Sequence, residues 1–395
     1  MRRNAKLGWC AAFSAVILLI TALGQPFVLR FPLYDFIEYA TAARLFVSGH
    51  NPYSVDEMMQ AQRQLGWTQE QPLMMLNPPW FLPMLLPLGF MQSFALERTL
   101  WFWLSIGLLA LGVERLWRLY GGPPSREGTA FIVAALFFPS WYCLVLGQLA
   151  PVLLLGLVGF LYFERRGQFW LAGSALALTT IKPHLFYLLW LALLLWSARR
   201  RDWRVLAGTL IAVGLGSGVA LTLDRHVFTQ YLAVMTGGYA SLYFPGIGGI
   251  LRHTLGRQHQ WLQFTPVLPG LAAFLWYWRR HAPAWNWRER MPVLLTMSVL
   301  TSSYGWLLDE PVLLLPVVVI AIECLSDERF VGPALAWCLA TAAGCIVAAE
   351  KFRQSGVTIV VPLGILLYFV TTAKWRGQHR EDGTAGERAR TPAES

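Results

Sequence analysis

Uninterrupted apolar runs of 15 to 22 residues recur along almost the whole chain, and they constrain it more than any other feature. A run of that length matches the hydrocarbon core of a bilayer when it is helical. It is too continuously apolar for the alternating strands of an outer-membrane barrel. Composition agrees: 56% of the 395 residues are hydrophobic and only 14% are charged, against about 25% charged in a soluble domain. The fold class expected is therefore all-α, a polytopic helical bundle in a membrane.

Spans are placed near 9–29, 95–117, 128–142, 149–163, 169–181, 184–198, 203–222, 263–278, 291–307, 311–325, 331–349 and 356–373, about twelve in all. The first has a basic start and no convincing small-residue cleavage site, so it reads as an uncleaved signal anchor. The segment "NPPWFLPMLLPLGFM" (77–91) is apolar but carries four prolines. That density argues against a regular spanning helix, and the segment reads as interfacial or re-entrant.

Charge placement tests this count. Of the 32 Lys and Arg, 22 fall at the N-terminus, in 114–127, 164–167, 199–204, 279–290 and 326–329, and in the tail, all on one side of the bundle. Counting 77–91 as a span would put "SARRRDWR" opposite the basic N-terminus, against the positive-inside rule. Residues 1–375 then form one multi-span unit with external loops 30–94 and 223–262, each bearing an amphipathic segment suited to the interface plane. Residues 376–395 read as a disordered cytoplasmic tail.

The net charge of +10 sits in short clusters between apolar runs, which excludes a nucleic-acid partner as the reading of the charge. Five cysteines form no CxxC pair. No HExxH, DxD, P-loop or GxSxG motif occurs, so neither a metal nor another cofactor is expected.

Chemistry gathers at the external helix ends. In "YDFIEYATAARLF", Asp35, Glu38 and Tyr39 lie at i, i+3 and i+4 and share one helix face. Asp35 reads either as a helix start near the positive end of the dipole or as a carboxylate held at the membrane surface. Lys182, in "TTIKPHLF", lies between two apolar runs with no acidic residue beside it, a natural partner for phosphate. Gln148 in "VLGQLAP" reads equally as a turn residue or a ligand contact. Tyr304, Asp309 and Glu310 lie in "SSYGWLLDEPV", where exposure in a loop would remove the cost of the two acids. His184 and His253 are lone histidines, read first as structural.

A surface carboxylate and a cation suit glycosyl transfer from a lipid phosphate: the carboxylate takes the proton of the attacking hydroxyl, and the cation stabilises the departing phosphate. A transporter or lipid flippase, or a non-catalytic scaffold of envelope assembly, are the rival readings. A transporter predicts ionisable residues deep within spans and internal repeats, whereas here they cluster at one face.

The order "YDFIEYATAARLFVSGHNPYS", "NPPWFLPMLLPLGF", "LGQLAPVLLLGLVGFLYFERRGQFWLAGSALALTTIKPHLF" and "RRRDWRVLAG" resembles glycosyltransferase family 87, well over residues 30 to 210 and weakly beyond. The resemblance implies the C-type glycosyltransferase fold and transfer of a hexose, typically mannose, from a polyprenyl-phosphate donor to a lipid or glycan acceptor. It implies an active site on the external, periplasmic face of the inner membrane. Asp35 maps onto the catalytic base. Gln148 and Lys182 map onto the donor side, to which His184 and Tyr39 are joined by proximity, with Glu38, Tyr304 and Asp309 lining the site.

Overall fold

The computed structural model describes residues 33–237, 244–352 and 354–376. The signal anchor and first span at 9–29, and the tail beyond 376, lie outside them. Every described element is a helix.

Among the described residues, three helices are long and apolar enough to cross a membrane unaided: Phe94–Leu119, Arg204–Leu223 and Glu328–Ala348. The last two present Leu210, Ile211, Leu215, Leu335, Leu339 and Ile346 outward. Outward-facing leucines over a whole helix are what lipid, unlike water, accepts.

Several of the remaining apolar runs are broken, and the breaks follow the sequence. Where one span was expected over 128–142, the helices Gly128–Leu136 and Phe138–Leu146 meet at 62°. Pro139 has no N–H for the Ala135 carbonyl four residues back, so the helix cannot continue. The indole Nε1 of Trp141 donates to that carbonyl instead, at 2.5 Å. The run 169–181 is α-helical only to Leu176, tightens to a 3₁₀ turn over Ala177–Ile181 and stops at Lys182, the residue before Pro183. A residue before proline is driven out of the α region, and Lys182 sits at φ −130°, ψ 69°. The helix expected over 291–307 ends at Leu300, and 311–325 begins as a 3₁₀ turn, Leu307–Leu313, before the helix Leu314–Ser326. The proline-rich segment 77–91 makes only a short helical piece, Pro79–Gly89.

The segment expected to lie in the interface plane behaves otherwise. The helix Phe36–Val47 buries Phe36, Ile37, Glu38, Tyr39, Ala40, Thr41, Ala42, Ala43 and Phe46, leaving no broad polar face. Its charges are absorbed by protein, as in the ion pair of Arg44 with the fully buried Glu97 at the start of Phe94–Leu119. Small residues let the neighbouring helix Leu82–Gly89 lie directly on it.

Elsewhere packing is equally close. The helices Phe169–Leu176 and Arg204–Leu223 touch through Gly173 and Gly208. A Cβ on Gly173 would stand 2.0 Å from the Val205 carbonyl oxygen, and one on Gly208 2.3 Å from that of Trp170. Thr209 Oγ1 donates across the contact to the Gly173 carbonyl at 2.9 Å. Small residues at helix contacts drive association where lipid removes the hydrophobic gradient. Gly173→Ala should therefore cost about 1–3 kcal/mol, as overpacking does, and lower the detergent unfolding temperature. Gly107→Ala, with open space around it, should not. Equal unfolding temperatures for the two variants would refute this account of the contact.

Candidate active site

The site forms where three helix breaks meet. Gly147 ends the helix Phe138–Leu146 in the left-handed region, at φ 80°. A Cβ there would lie 2.7 Å from Phe36 Cβ, so only glycine permits the approach. The last carbonyls of a helix lack partners within it. Here the Leu33 and Asp35 backbone N–H groups fill the need, donating to Val145 O at 2.9 Å and Leu146 O at 3.0 Å. Trp101 Nε1 donates to the Gly147 carbonyl at 2.7 Å. These bonds set Asp35 beside Gln148.

Asp35 does sit at the helix start, yet its side chain caps nothing. Its Oδ2 instead accepts from Gln148 Nε2 at 2.8 Å. Gln148 Oε1 accepts twice, from Tyr39 Oη at 2.9 Å and from Lys182 Nζ at 3.0 Å. A carboxylate on one side and two donors on the other fix the orientation of the amide.

The sequence offered no acid near Lys182, and here the structure corrects it: Lys182 Nζ lies 2.6 Å from Asp309 Oδ1. Asp309 Oδ2 also accepts from the Trp306 backbone N–H at 3.3 Å. Asp309 is 2% exposed and Glu310 is fully buried, so loop exposure does not relieve them as expected. Asp309 escapes the cost of burial through Lys182.

Glu38 is buried on the same helix as Asp35 and Tyr39. Burial, and then the Asp35 charge, push its carboxyl up to about 8. Asp35 is also raised by burial, but the Gln148 hydrogen bond and the Lys182 charge oppose the rise. Neighbouring carboxyls in such contrasting surroundings separate into a protonated acid and an ionised base.

His184 and Tyr304 stand to one side. Their rings meet edge to face at 5.6 Å, and Tyr304 also meets Phe244 at 4.7 Å. Ser302 Oγ ties their two backbone carbonyls together, at 3.0 Å and 2.5 Å. Neither ring hydrogen-bonds the Asp35–Gln148–Lys182–Asp309 chain. Sequence reading missed Arg252, which is 2% exposed and reaches Gln263 Oε1 at 3.2 Å. Gln263 in turn donates to the Ser303 carbonyl at 2.5 Å. An arginine between leucine and histidine, in "GGILRHTL", gives no sign of burial in sequence. Among the described residues no group of three or more His, Cys, Asp or Glu could hold a metal ion.

No curated protein and no solved structure matches the chain. The family model of glycosyltransferase family 87 matches residues 75–308. The match begins later and extends further toward the C-terminus than the resemblance read from the motifs. It takes in Gln148, Lys182, His184 and Tyr304, while Asp35, Glu38 and Tyr39 precede it and Asp309 follows its last residue. Spanning more than half of the sequence and agreeing with the motifs quoted above, it shows that the chain belongs to glycosyltransferase family 87 and is a glycosyltransferase.

Proposed function

We propose that the chain transfers a hexose, mannose by the family resemblance, from a polyprenyl-phosphate donor to a lipid or glycan acceptor at the external face of the inner membrane. About twelve spans and the C-type glycosyltransferase fold complete the reading. One observation carries it: Asp35, Gln148, Lys182 and Asp309 form a continuous hydrogen-bonded chain at the broken ends of apolar helices.

In this mechanism Asp35 accepts the proton of the acceptor hydroxyl as its oxygen attacks the anomeric carbon. The bond from that carbon to the phosphate oxygen breaks, and the electron pair leaves with the lipid phosphate. An ammonium has three N–H donors. Gln148 Oε1 and Asp309 Oδ1 occupy two of those on Lys182, and the third is left for the phosphate. Gln148 links base and cation, so the carboxylate and the leaving-group charge are held at a fixed separation. Tyr39 holds the Gln148 amide from the other side. His184 lies near the cation with Tyr304 against its ring, where an aromatic surface suits the apolar face of a sugar. The decisive assay supplies labelled polyprenyl-phosphate mannose to membranes containing the protein. Labelled glycolipid or glycan above the Asp35→Asn background supports the reading, and its absence from folded wild-type preparations overturns it.

Asp35→Asn keeps the shape and removes the base, so turnover should fall about 10²–10⁴-fold with donor KM little changed. Glu38→Gln should cost less than about tenfold, since a protonated glutamate and a glutamine are both neutral hydrogen-bonding groups. The reverse ranking in turnover assays would make Glu38 the base.

The rate should depend on pH with a definite sign. Asp35 works only when ionised, and burial raises it above the ordinary aspartate value of about 3.9. Turnover should therefore rise with pH along a limb displaced upward from that value, and the limb should vanish in the residual activity of Asp35→Asn. A limb at the ordinary value would contradict the assignment.

Lys182→Ala removes a charge-assisted contact to phosphate worth about 1.5–3 kcal/mol, or roughly 10- to 100-fold in kcat/KM. It also strands Asp309 without its cation, so Lys182→Ala/Asp309→Asn should unfold at a higher temperature than Lys182→Ala while remaining as slow. Unchanged donor kinetics in folded Lys182→Ala would remove the phosphate role.

A further inference from the structure

Three helices that begin or end at the site run away from it to one basic end. Ala150–Arg165 follows Gln148, Tyr187–Arg200 follows Lys182, and Trp287–Leu300 leads into Ser302 and Tyr304. At 1.5 Å per residue they carry Arg165, Arg200 and Arg288 about 20–24 Å from the site. There the three arginines, with Glu164, Asn286 and Trp285, line a cavity of about 440 Å³.

The charges in this cavity do not balance. Glu164 interacts with Arg200. Arg165 and Arg288 lie close enough to repel each other, the Glu289 charge offsets only part of that repulsion at Arg288, and neither arginine is in contact ion-pair distance of a described acid. Two guanidiniums lining one cavity, neither held in a contact ion pair, form a fork for an anion with several oxygens, and phosphate fits that geometry. The cavity adjoins a second hollow lined by Arg200, Arg201, Trp170 and Trp203. Both of those tryptophans are half exposed. Exposed tryptophans mark headgroup depth, so the anion at this level is a lipid phosphate. This end carries the arginine clusters that the positive-inside rule puts in the cytoplasm.

We propose that the Arg165–Arg288 cavity is a binding site for the phosphodiester headgroup of an anionic phospholipid of the cytoplasmic leaflet, separate from the site at Asp35 and Lys182. Lipid held there would anchor the far ends of the three helices whose near ends hold Gln148, Lys182 and Tyr304.

The test does not depend on catalysis. Full-chain protein is purified in detergent and incubated with phosphatidylglycerol or phosphatidylcholine, and bound lipid is counted by native mass spectrometry. Wild type should retain phosphatidylglycerol with a preference of about tenfold or more. Arg165→Gln/Arg288→Gln should lose that preference. Arg199→Gln/Arg279→Gln removes equal charge from exposed positions at the same end but outside the cavity, and should keep it. Arg165 is exposed at the cavity mouth, so Arg165→Gln alone leaves the fold intact and should lower the preference at least about threefold. Equal retention of phosphatidylglycerol by wild type and Arg165→Gln would overturn the proposal, as would equal loss in the two double variants. Displacement of the lipid by millimolar inorganic phosphate would assign the cavity to a soluble anion and overturn the lipid assignment.

Discussion

The carboxamide of Gln148 is the point on which the arrangement depends. Its two ends are chemically opposite, one donating and one accepting, and the structure uses both. The donor faces the Asp35 carboxylate, and the acceptor faces Tyr39 and Lys182. One small neutral group thus joins an anion and a phenol from one helix start to a cation from a distant part of the chain. Neither charge could be buried at tolerable cost alone. Joined in sequence to Asp309, they compensate one another without collapsing into a direct Asp35–Lys182 pair that would neutralise both.

The site exists because helices stop early. Gly147 and Pro183 each end a helix at the site, and the backbone groups left unpaired there become its framework. The freed Val145 and Leu146 carbonyls receive the chain entering at Leu33 and Asp35. Non-helical backbone at membrane depth is tolerated where protein satisfies its polar groups, and Trp101 and Trp141 do so here by donating indole N–H groups to exposed carbonyls.

Polarity also runs along the bundle. Hydrogen-bonded ionisable groups gather at one end and arginines at the other, joined by helices of 14 to 16 residues. Arginines near helix C-termini, such as Arg165 and Arg200, complement the macrodipole locally. Their number exceeds that need, and the proposed lipid site rests on this excess.

Sequence by itself determined a helical membrane chain, the asymmetry of its basic loops, and Asp35, Gln148 and Lys182 as the residues to follow. Apolar run length, proline position and residue type are local properties, legible without a fold. It did not give the Lys182–Asp309 pair, because 127 positions separate the partners and no periodicity links them. Nor could it separate Asp35 from Glu38, which share one helix face: their difference lies in which carboxyl meets Gln148 and which lies buried beside Tyr39 and the Asp35 charge. The helix Phe36–Val47 looked amphipathic because Glu38 and Arg44 are charged. Tertiary structure buried it, since Glu97 supplies a partner for Arg44 and burial raises the Glu38 carboxyl toward its neutral form. Charge is written in the sequence, but whether water or another side chain compensates it is decided only when distant segments meet.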